Sequence, residues 1–160
     1  MAAGDIFVIN RFFEQFEQLR DEARGWELDF RQIGPGEQGH KLLQLVHSDF
    51  QFIYSVFNTP YDQRSATPRH LRTFSILADH RAPAMWCGQD FGWNSFVSLP
   101  VGGEFRGLSM GYFSNYVFSL PEALLAKTAN DLFYVDWERL DREIGRGVIR
   151  FTDRDMVKLR

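Results

Sequence analysis

The sequence has little of what a secreted or membrane-spanning protein needs. Cys87 is the only cysteine among 160 residues, so no disulfide can form within the chain, as is usual in a reducing compartment. No apolar run approaches the ~20 residues of a membrane-spanning helix. The first residues also lack the basic and apolar regions of a secretory signal. We therefore expect a cytoplasmic location and no membrane partner.

Features that mark catalytic and metal sites are also missing. The chain has four histidines, His40, His47, His70 and His80. No two of them form the His-x-His pair on which small metal-binding barrels commonly rely. Neither a serine elbow, a P-loop nor a dinucleotide-binding glycine pattern occurs. Cys87 has no basic neighbour that would activate its thiol, so we expect a small buried residue there. The sequence predicts no catalytic residue, no metal, no cofactor and no enzyme activity.

The composition is that of one folded domain. Hydrophobic residues make up 44% of the chain and aromatic residues 16%, with sixteen Phe. This is enough apolar material for a core at this length. The net charge of −3 gives no general attraction to nucleic acid.

Alternation of apolar and polar residues predicts many short strands. Residues 26–31 alternate strictly, and residues 41–47 and 49–56 predict a hairpin. Further strands are predicted at residues 70–78, 85–87, 93–99, 104–108 and 111–120. The polar segment 58–69, which contains two prolines, is predicted to be a loop. Short strands separated by Gly and Pro are typical of a sandwich or barrel, so the expected fold is mainly β.

Helical patterns flank this region. The spacing of Phe12, Phe16, Leu19 and Ala23 predicts an amphipathic helix that ends at Gly25. Residues 119–122 have the Ser-x-x-Glu spacing of a capping box before a C-terminal helix. Asp136 is predicted to cap another helix that ends at Gly145, and a third begins at residue 152. Either exposed apolar face, 120–132 or 137–144, could form a dimer.

A local basic cluster stands out in this acidic chain. It contains Arg64, Arg69 and Arg72, and Gln63 precedes it directly. Arginine binds carboxylate and phosphate groups well, so we predict an anion site, with Arg72 favoured because it lies inside a strand pattern.

Two other interpretations of the arginines remain open. They are solvated loop charges, or they pair with Glu27, Asp29 or Glu104. A separate Arg-x-x-x-Arg pair, Arg20 and Arg24, has a spacing that also occurs in PilZ-type cyclic-dinucleotide receptors.

Aromatic side chains complete the predicted ligand site. Phe52 and Tyr54 share one face of a strand, and Trp86 lies close to a turn, where barrel mouths are built. The alternative is that these rings belong to the core.

Four blocks of sequence resemble one known family. They are residues 25–36 (GWELDFRQIGPG), 62–74 (DQRSATPRHLRTF), 86–88 (WCG) and 120–125 (LPEALL). In this order they are similar to the N-terminal effector domain of AraC/XylS-type transcriptional regulators, over roughly residues 10–135. Residues 152–160 resemble the linker helix that leads into two helix-turn-helix motifs, which this chain does not include.

The resemblance implies a cupin-like β-barrel or jelly-roll sandwich with an N-terminal helix and C-terminal helices. It implies a sensor and dimerisation domain at 1–147 and the start of a linker at 148–160. The expected partners are a small effector, a second copy in a homodimer, and DNA only through the missing domain. Effectors of the family include sugars, aromatic acids, fatty acids and cyclic di-GMP. With the arginine cluster, this favours a carboxylate or a nucleotide second messenger. A cupin-like metal-dependent enzyme and a ligand-free dimerisation module are the alternatives.

Overall fold

The computed structural model describes residues 6–36, 39–82, 84–145 and 147–155. This part of the chain forms twelve strands, three helices and one further helical turn at residues 153–155. The strands are β1 (Phe7–Phe13), β2 (Glu27–Gln32), β3 (His40–His47), β4 (Phe50–Phe57), β5 (Tyr61–Ala66), β6 (Arg72–Leu77), β7 (Ala84–Trp86), β8 (Gln89–Phe91), β9 (Ser95–Leu99), β10 (Glu104–Ser109), β11 (Phe113–Leu120) and β12 (Gly147–Arg150). The helices are α1 (Phe16–Glu22), α2 (Glu122–Phe133) and α3 (Trp137–Ile144).

The strands form two antiparallel sheets. One has seven strands in the order β1-β3-β4-β11-β6-β9-β12, and the other has five in the order β2-β5-β10-β7-β8. The two sheets do not close into a barrel, so the molecule is an open sandwich of antiparallel sheets, and the predicted mainly β fold is confirmed. None of the helices in the described ranges is long and apolar enough to cross a lipid bilayer.

The core lies between the two sheets because alternate side chains of each strand face inward. The buried side chains of β4 are Gln51, Ile53, Ser55 and Phe57. Phe57 contacts Phe16 of α1 and Tyr61 of β5, with ring centroids 5.4 Å and 5.2 Å away. Aromatic packing thus joins the first helix to both sheets.

The N-terminal helix is shorter than predicted. Phe12 lies in β1 and is largely exposed, while α1 begins only at Phe16. Phe16 and Leu19 are buried as expected. The helical spacing of Phe12 was coincidental, because Phe12 pairs with Lys41 in the register of β1 against β3. The prediction of a helix from Phe12 is therefore wrong.

The segment 58–69 is not a loop throughout, because residues 61–66 form β5 between β2 and β10. The inward side chains of β5 are Tyr61, Gln63 and Ser65. Two of these three are polar, so the strand shows no apolar alternation in the sequence.

The C-terminal helices begin differently from each other. Ser119 belongs to β11, and its hydroxyl lies 2.9 Å from the hydroxyl of Thr73. The residue at the start of α2 is instead Pro121, which makes no side-chain capping hydrogen bond. The predicted capping box is therefore wrong. The predicted cap of α3 is confirmed, because Asp136 accepts a hydrogen bond from the backbone N–H of Glu138 at 3.0 Å.

The sheet continues beyond the domain boundary expected at residue 147. Val148 to Arg150 belong to β12, which pairs with β9 at the sheet edge. One turn of helix follows at residues 153–155. The rest of the predicted third helix, residues 156–160, lies outside the described residues, and the linker assignment stays a prediction.

Candidate functional site

The predicted site residues lie on separate surfaces. Gln63 and Trp86 face the interior between the sheets. Phe52 and Tyr54 lie on the outer face of the seven-stranded sheet, where they contact aromatic rings of β11. Arg64 is exposed on the outer face of the five-stranded sheet. One pocket formed by all seven predicted residues therefore does not exist among the described residues.

The interior of the sandwich is nearly filled. Its cavity of about 60 Å³ is lined mainly by apolar side chains from both sheets. This volume admits about two waters, whereas small-molecule sites commonly have ~300–1,000 Å³. An effector of ordinary size does not fit there unless the sheets separate.

Polar groups in this interior mostly satisfy one another. Asn115 accepts a short hydrogen bond from Ser55 and donates to the hydroxyl of Ser75 at 3.0 Å. Gln63 donates to the hydroxyl of Ser65 at 3.0 Å. The indole N–H of Trp86 is buried without a partner in the described structure. The interior therefore offers one free donor and no charged group.

A much larger open groove lies on the outer face of the five-stranded sheet. Its volume is about 750 Å³. Its charged lining residues come from β2, β5 and β10: Glu27, Asp29, Arg64, Glu104 and Arg106. The groove exists because these neighbouring strands place their outward side chains side by side.

Arg64 is the available cation of this groove. Arg106 makes two hydrogen bonds of 2.8 Å to the carboxylate of Asp62, and this pairing lowers the pKa of Asp62 and raises that of Arg106. Arg64 is the cross-strand neighbour of Asp29 and Arg106. No ion pair of Arg64 is found within 4.0 Å in the described part of the chain. Its charge also helps to lower the pKa of Asp62, but its guanidinium has no close carboxylate partner and can accept an anionic ligand.

Arg69 lies at the rim of the groove. It donates a 2.8 Å hydrogen bond to Glu27, and both side chains are well exposed. The interpretation that cluster arginines pair with acidic neighbours thus holds for Arg69. The connection from β5 to β6 is fixed beside it, since Thr67 donates to the carbonyl of Pro100 at 2.7 Å.

Arg72 joins the sheet to both C-terminal helices. Its side chain is only 4% exposed and lies on the outer face of the seven-stranded sheet. It donates to Ser98 Oγ at 3.0 Å and to the carbonyl of Gly145 at 3.2 Å. Asp141 of α3 lies 2.6 Å away in an ion pair, and Glu122 of α2 lies 3.4 Å away. That Arg72 binds an effector stays a prediction, but its guanidinium already has protein partners.

Sequence reasoning missed the carboxylates that hold Arg72. Glu122 and Asp141 are separated from it by 50 and 69 positions, so no local pattern connects them. A buried arginine in a strand needs such partners, and that requirement was the one signal available in the sequence.

Three other sequence expectations concern residues outside the groove's charged cluster. Cys87 is exposed at the two-residue turn between β7 and β8, so the expectation of a buried cysteine is wrong. Arg20 pairs with Asp21 at 3.0 Å, and Arg24 stacks over the ring of Phe7 at 3.7 Å. Within the described ranges, no three His, Cys, Asp or Glu side chains are placed to hold a metal ion.

Comparisons with known proteins give a likeness in fold. No protein-family model matches the chain, and no curated protein matches its sequence. Among solved structures, the AraC-like transcriptional activator CuxR is similar, with a TM-score of 0.51 and 13% identity over 93% of this chain and 68% of that chain. The chain shares the fold of this activator. The resemblance seen in the sequence blocks is thus confirmed at the level of the fold.

Two plant vicilins are also similar to the chain at lower scores. The vicilin of hazelnut, Corylus avellana, has a TM-score of 0.38 at 11% identity, covering 83% of this chain and 48% of that chain. The vicilin of Capsicum annuum has a TM-score of 0.36 at 12% identity, covering 84% of this chain and 47% of that chain.

Proposed function

We propose that the chain is the effector-sensing domain of an AraC-like transcriptional regulator. The fold shared with CuxR supports a regulatory role. The observation that carries the sensing role is the open groove around Arg64. Arg64 lies on β5, and the chain continues from β5 into β6, where Arg72 joins the sheet to the C-terminal helices.

The proposed effector is a small molecule with one anionic group bound by Arg64. Glu27, Asp29 and Glu104 carry three negative charges around the groove, against two positive charges on Arg64 and Arg106. This surplus repels a polyanion but admits one carboxylate at the arginine fork. Between the two classes that the sequence left open, a carboxylate is therefore favoured over a nucleotide second messenger.

The signal would travel along the β5–β6 connection. Arg64 lies on β5, Arg69 lies within the connection, and Arg72 begins β6. An anion bound by Arg64 competes with the acidic side chains of the groove for its positive charge. One of these is Glu27, which is also paired with Arg69 at the groove rim. Effector binding then shifts the population of helix arrangements held by Arg72, provided that its affinity for them differs.

The remaining parts of the proposal concern partners. We propose a cytoplasmic homodimer that contacts DNA only through a further domain, and no enzyme activity. Apolar side chains at the end of α2 support a dimer, since Leu132, Phe133 and Tyr134 are all more than two-thirds exposed. Among the helices, α2 is thus the better candidate for the interface.

A thermal-shift panel of carboxylic acids, cyclic dinucleotides, sugars and amines tests the effector class. A ligand at ~100 times its dissociation constant adds about 2.7 kcal/mol of stability. We expect a carboxylic acid to raise the melting temperature and Arg64→Ala to weaken its binding by about 1.5–3 kcal/mol. Arg139→Ala, which removes an exposed arginine of α3, is the control and should leave affinity unchanged. A carboxylate that binds Arg64→Ala as well as the wild type would contradict the assignment.

A ligand-free dimerisation module is the second candidate function. The nearly filled interior of about 60 Å³ favours it. It predicts no stabilisation by any compound in the panel together with a dimer that persists at low concentration.

A further inference from the structure

The charges of the groove around Arg64 lie in two rows that cross the five-stranded sheet. Strand pairing forms one row with two carboxylates, which we call the acidic row: Glu27 of β2, Ala66 of β5 and Glu104 of β10. The next row has two guanidinium groups and one carboxylate, and we call it the basic row: Asp29 of β2, Arg64 of β5 and Arg106 of β10. One side of the groove is therefore negative and the other side positive.

The two rows are close enough for one small molecule to contact both. They are separated by two positions along each strand, which corresponds to about 7 Å at the usual rise of a strand. Within the acidic row, Glu27 and Glu104 lie on the two strands that flank Ala66, and all three residues line the groove. The small side chain of Ala66 leaves space between the two carboxylate-bearing residues.

The acidic row has negative charge to spare. In the described part of the chain, Glu104 forms no ion pair within 4.0 Å. Glu27 forms one with Arg69 at 2.8 Å, and both of these side chains are largely exposed. Exposed ion pairs contribute little, so a bound cation can compete with Arg69 for Glu27. Since no basic residue stands in this row, a cation would also relieve the repulsion between its like charges.

The basic row supplies one position for an anion. Arg106 is engaged by Asp62 through two hydrogen bonds of 2.8 Å. Asp29 is the cross-strand neighbour of Arg64, but the two form no ion pair within 4.0 Å among the described residues. Arg64 therefore presents its guanidinium to the groove, where a carboxylate can bind to it through two N–H groups.

The backbone beside the acidic row is held in place. Thr67 directly follows Ala66, and its N–H donates to the carbonyl of Gly103 at 3.1 Å. The N–H of Gly103 in turn donates to Thr67 Oγ1 at 2.9 Å. These bonds fix the end of β5 against the start of β10, so the position of Ala66 relative to Glu104 is set before any ligand binds.

We propose that the groove binds an amino acid, with its carboxylate on Arg64 and its ammonium group between Glu27 and Glu104. This rests on the proposed function and narrows its effector from a carboxylate to a zwitterion. An ammonium group has three N–H donors, enough to bond both glutamates. The separation of the rows suits a molecule whose two charges stand at opposite ends of a short chain. A plain carboxylate leaves the acidic row unpaired, and a plain amine leaves Arg64 unpaired.

The ammonium group also gives the effector a route to the β5–β6 connection. Arg69 lies in this connection, and its partner Glu27 lies in the acidic row. An ammonium group on Glu27 takes the place of Arg69 and releases it from the groove rim. A plain carboxylate has no group that competes for Glu27, so the zwitterion is the better signal of the two.

Calorimetric titration of the whole chain with 5-aminopentanoate, pentanoate and n-pentylamine tests the proposal. We expect 5-aminopentanoate to bind about three- to tenfold more tightly than pentanoate, as two exposed ion pairs allow, and n-pentylamine to bind more weakly than either acid. Pentanoate that binds at least as tightly as 5-aminopentanoate would overturn the amino-acid assignment but keep the anion at Arg64. If neither acid binds, the proposed effector site at Arg64 fails together with the amino-acid assignment. Binding of n-pentylamine as tight as that of 5-aminopentanoate would also overturn it.

Three variants sharpen the test. Glu104→Gln should weaken 5-aminopentanoate binding about threefold without weakening pentanoate binding, because it removes a partner of the ammonium group and a repelling charge near the carboxylate. Arg69→Met should tighten 5-aminopentanoate binding about twofold, since it frees Glu27. Glu143→Gln, the same change as at Glu104 but on the exposed face of α3, is the control and should alter neither affinity. Unchanged binding of 5-aminopentanoate in Glu104→Gln, or an equal loss for both acids, would overturn the proposal.

Discussion

Replacing Arg72 with methionine should loosen the C-terminal helices from the sheet. The change removes hydrogen bonds to Ser98 and to the carbonyl of Gly145. Hydrogen bonds from a charged donor contribute about 1.5 kcal/mol each at the low end. The ion pairs add less, because the side chains of Glu122 and Asp141 are 44% and 37% exposed, although the Oδ1 atom of Asp141 is itself buried. Since methionine restores some apolar contact, we expect a net loss of about 2–3 kcal/mol.

Urea denaturation and hydrogen exchange measure this loss. Protection should fall in α2 and α3 but persist in β3, β4 and β11, because the side chain of Arg72 lies on the outer face of the seven-stranded sheet and not in the core between the sheets. Arg69→Met removes an equally charged residue from an exposed pair with Glu27 and should cost under about 0.5 kcal/mol. If Arg72→Met costs no more than Arg69→Met, the assignment of Arg72 as the helix anchor is refuted.

Three further outcomes are expected. The free energy of unfolding should fall as the pH drops below 6.5, because burial lowers the pKa of His40 in the folded chain and the unfolded chain therefore binds the proton first. Urea denaturation at several pH values measures this fall. A free energy of unfolding that rises below pH 6.5 would contradict the prediction. Leu132→Asp should convert a dimer to a monomer in sedimentation experiments, whereas Asn130→Asp on the same helix should not; a dimer that survives Leu132→Asp uses another surface. Cys87→Asn should raise the unfolding free energy by about 0.5 kcal/mol. Cys87 has a φ of 49° and Gly88 one of 78°, and Asn-Gly is the pair that two-residue turns with two positive φ angles prefer. A loss of stability would exclude this turn geometry.

Local patterns predicted the parts of the fold that depend on near neighbours. The hairpin of β3 and β4 followed from alternation, and the cap of α3 from Asp136. Both rest on interactions within a few residues, which a single sequence displays directly. The spacing of short strands between Gly and Pro predicted a sandwich or barrel, but the order of the strands in each sheet could not be predicted, because the pairing of distant strands leaves no local pattern in the sequence.

The rest depended on tertiary contacts. β5 was missed because its inward residues Gln63 and Ser65 find hydrogen bonds inside the sandwich, which the sequence does not reveal. Phe12 has helical spacing but pairs in a sheet. The three cluster arginines were predicted as one site, yet each meets a different environment, because the chain passes from one sheet to the other between Arg64 and Arg72.

Hydrogen exchange of the chain with and without the carboxylic acid selected by the thermal-shift panel tests the regulatory account most directly. The account predicts changed protection in two places, at the groove strands β5 and β10 and at the distant helices α2 and α3. Arg72→Met should keep the first change and abolish the second. Protection that changes only around the groove, with α2 and α3 unaffected by the bound acid, would contradict the proposed transmission from effector site to helices.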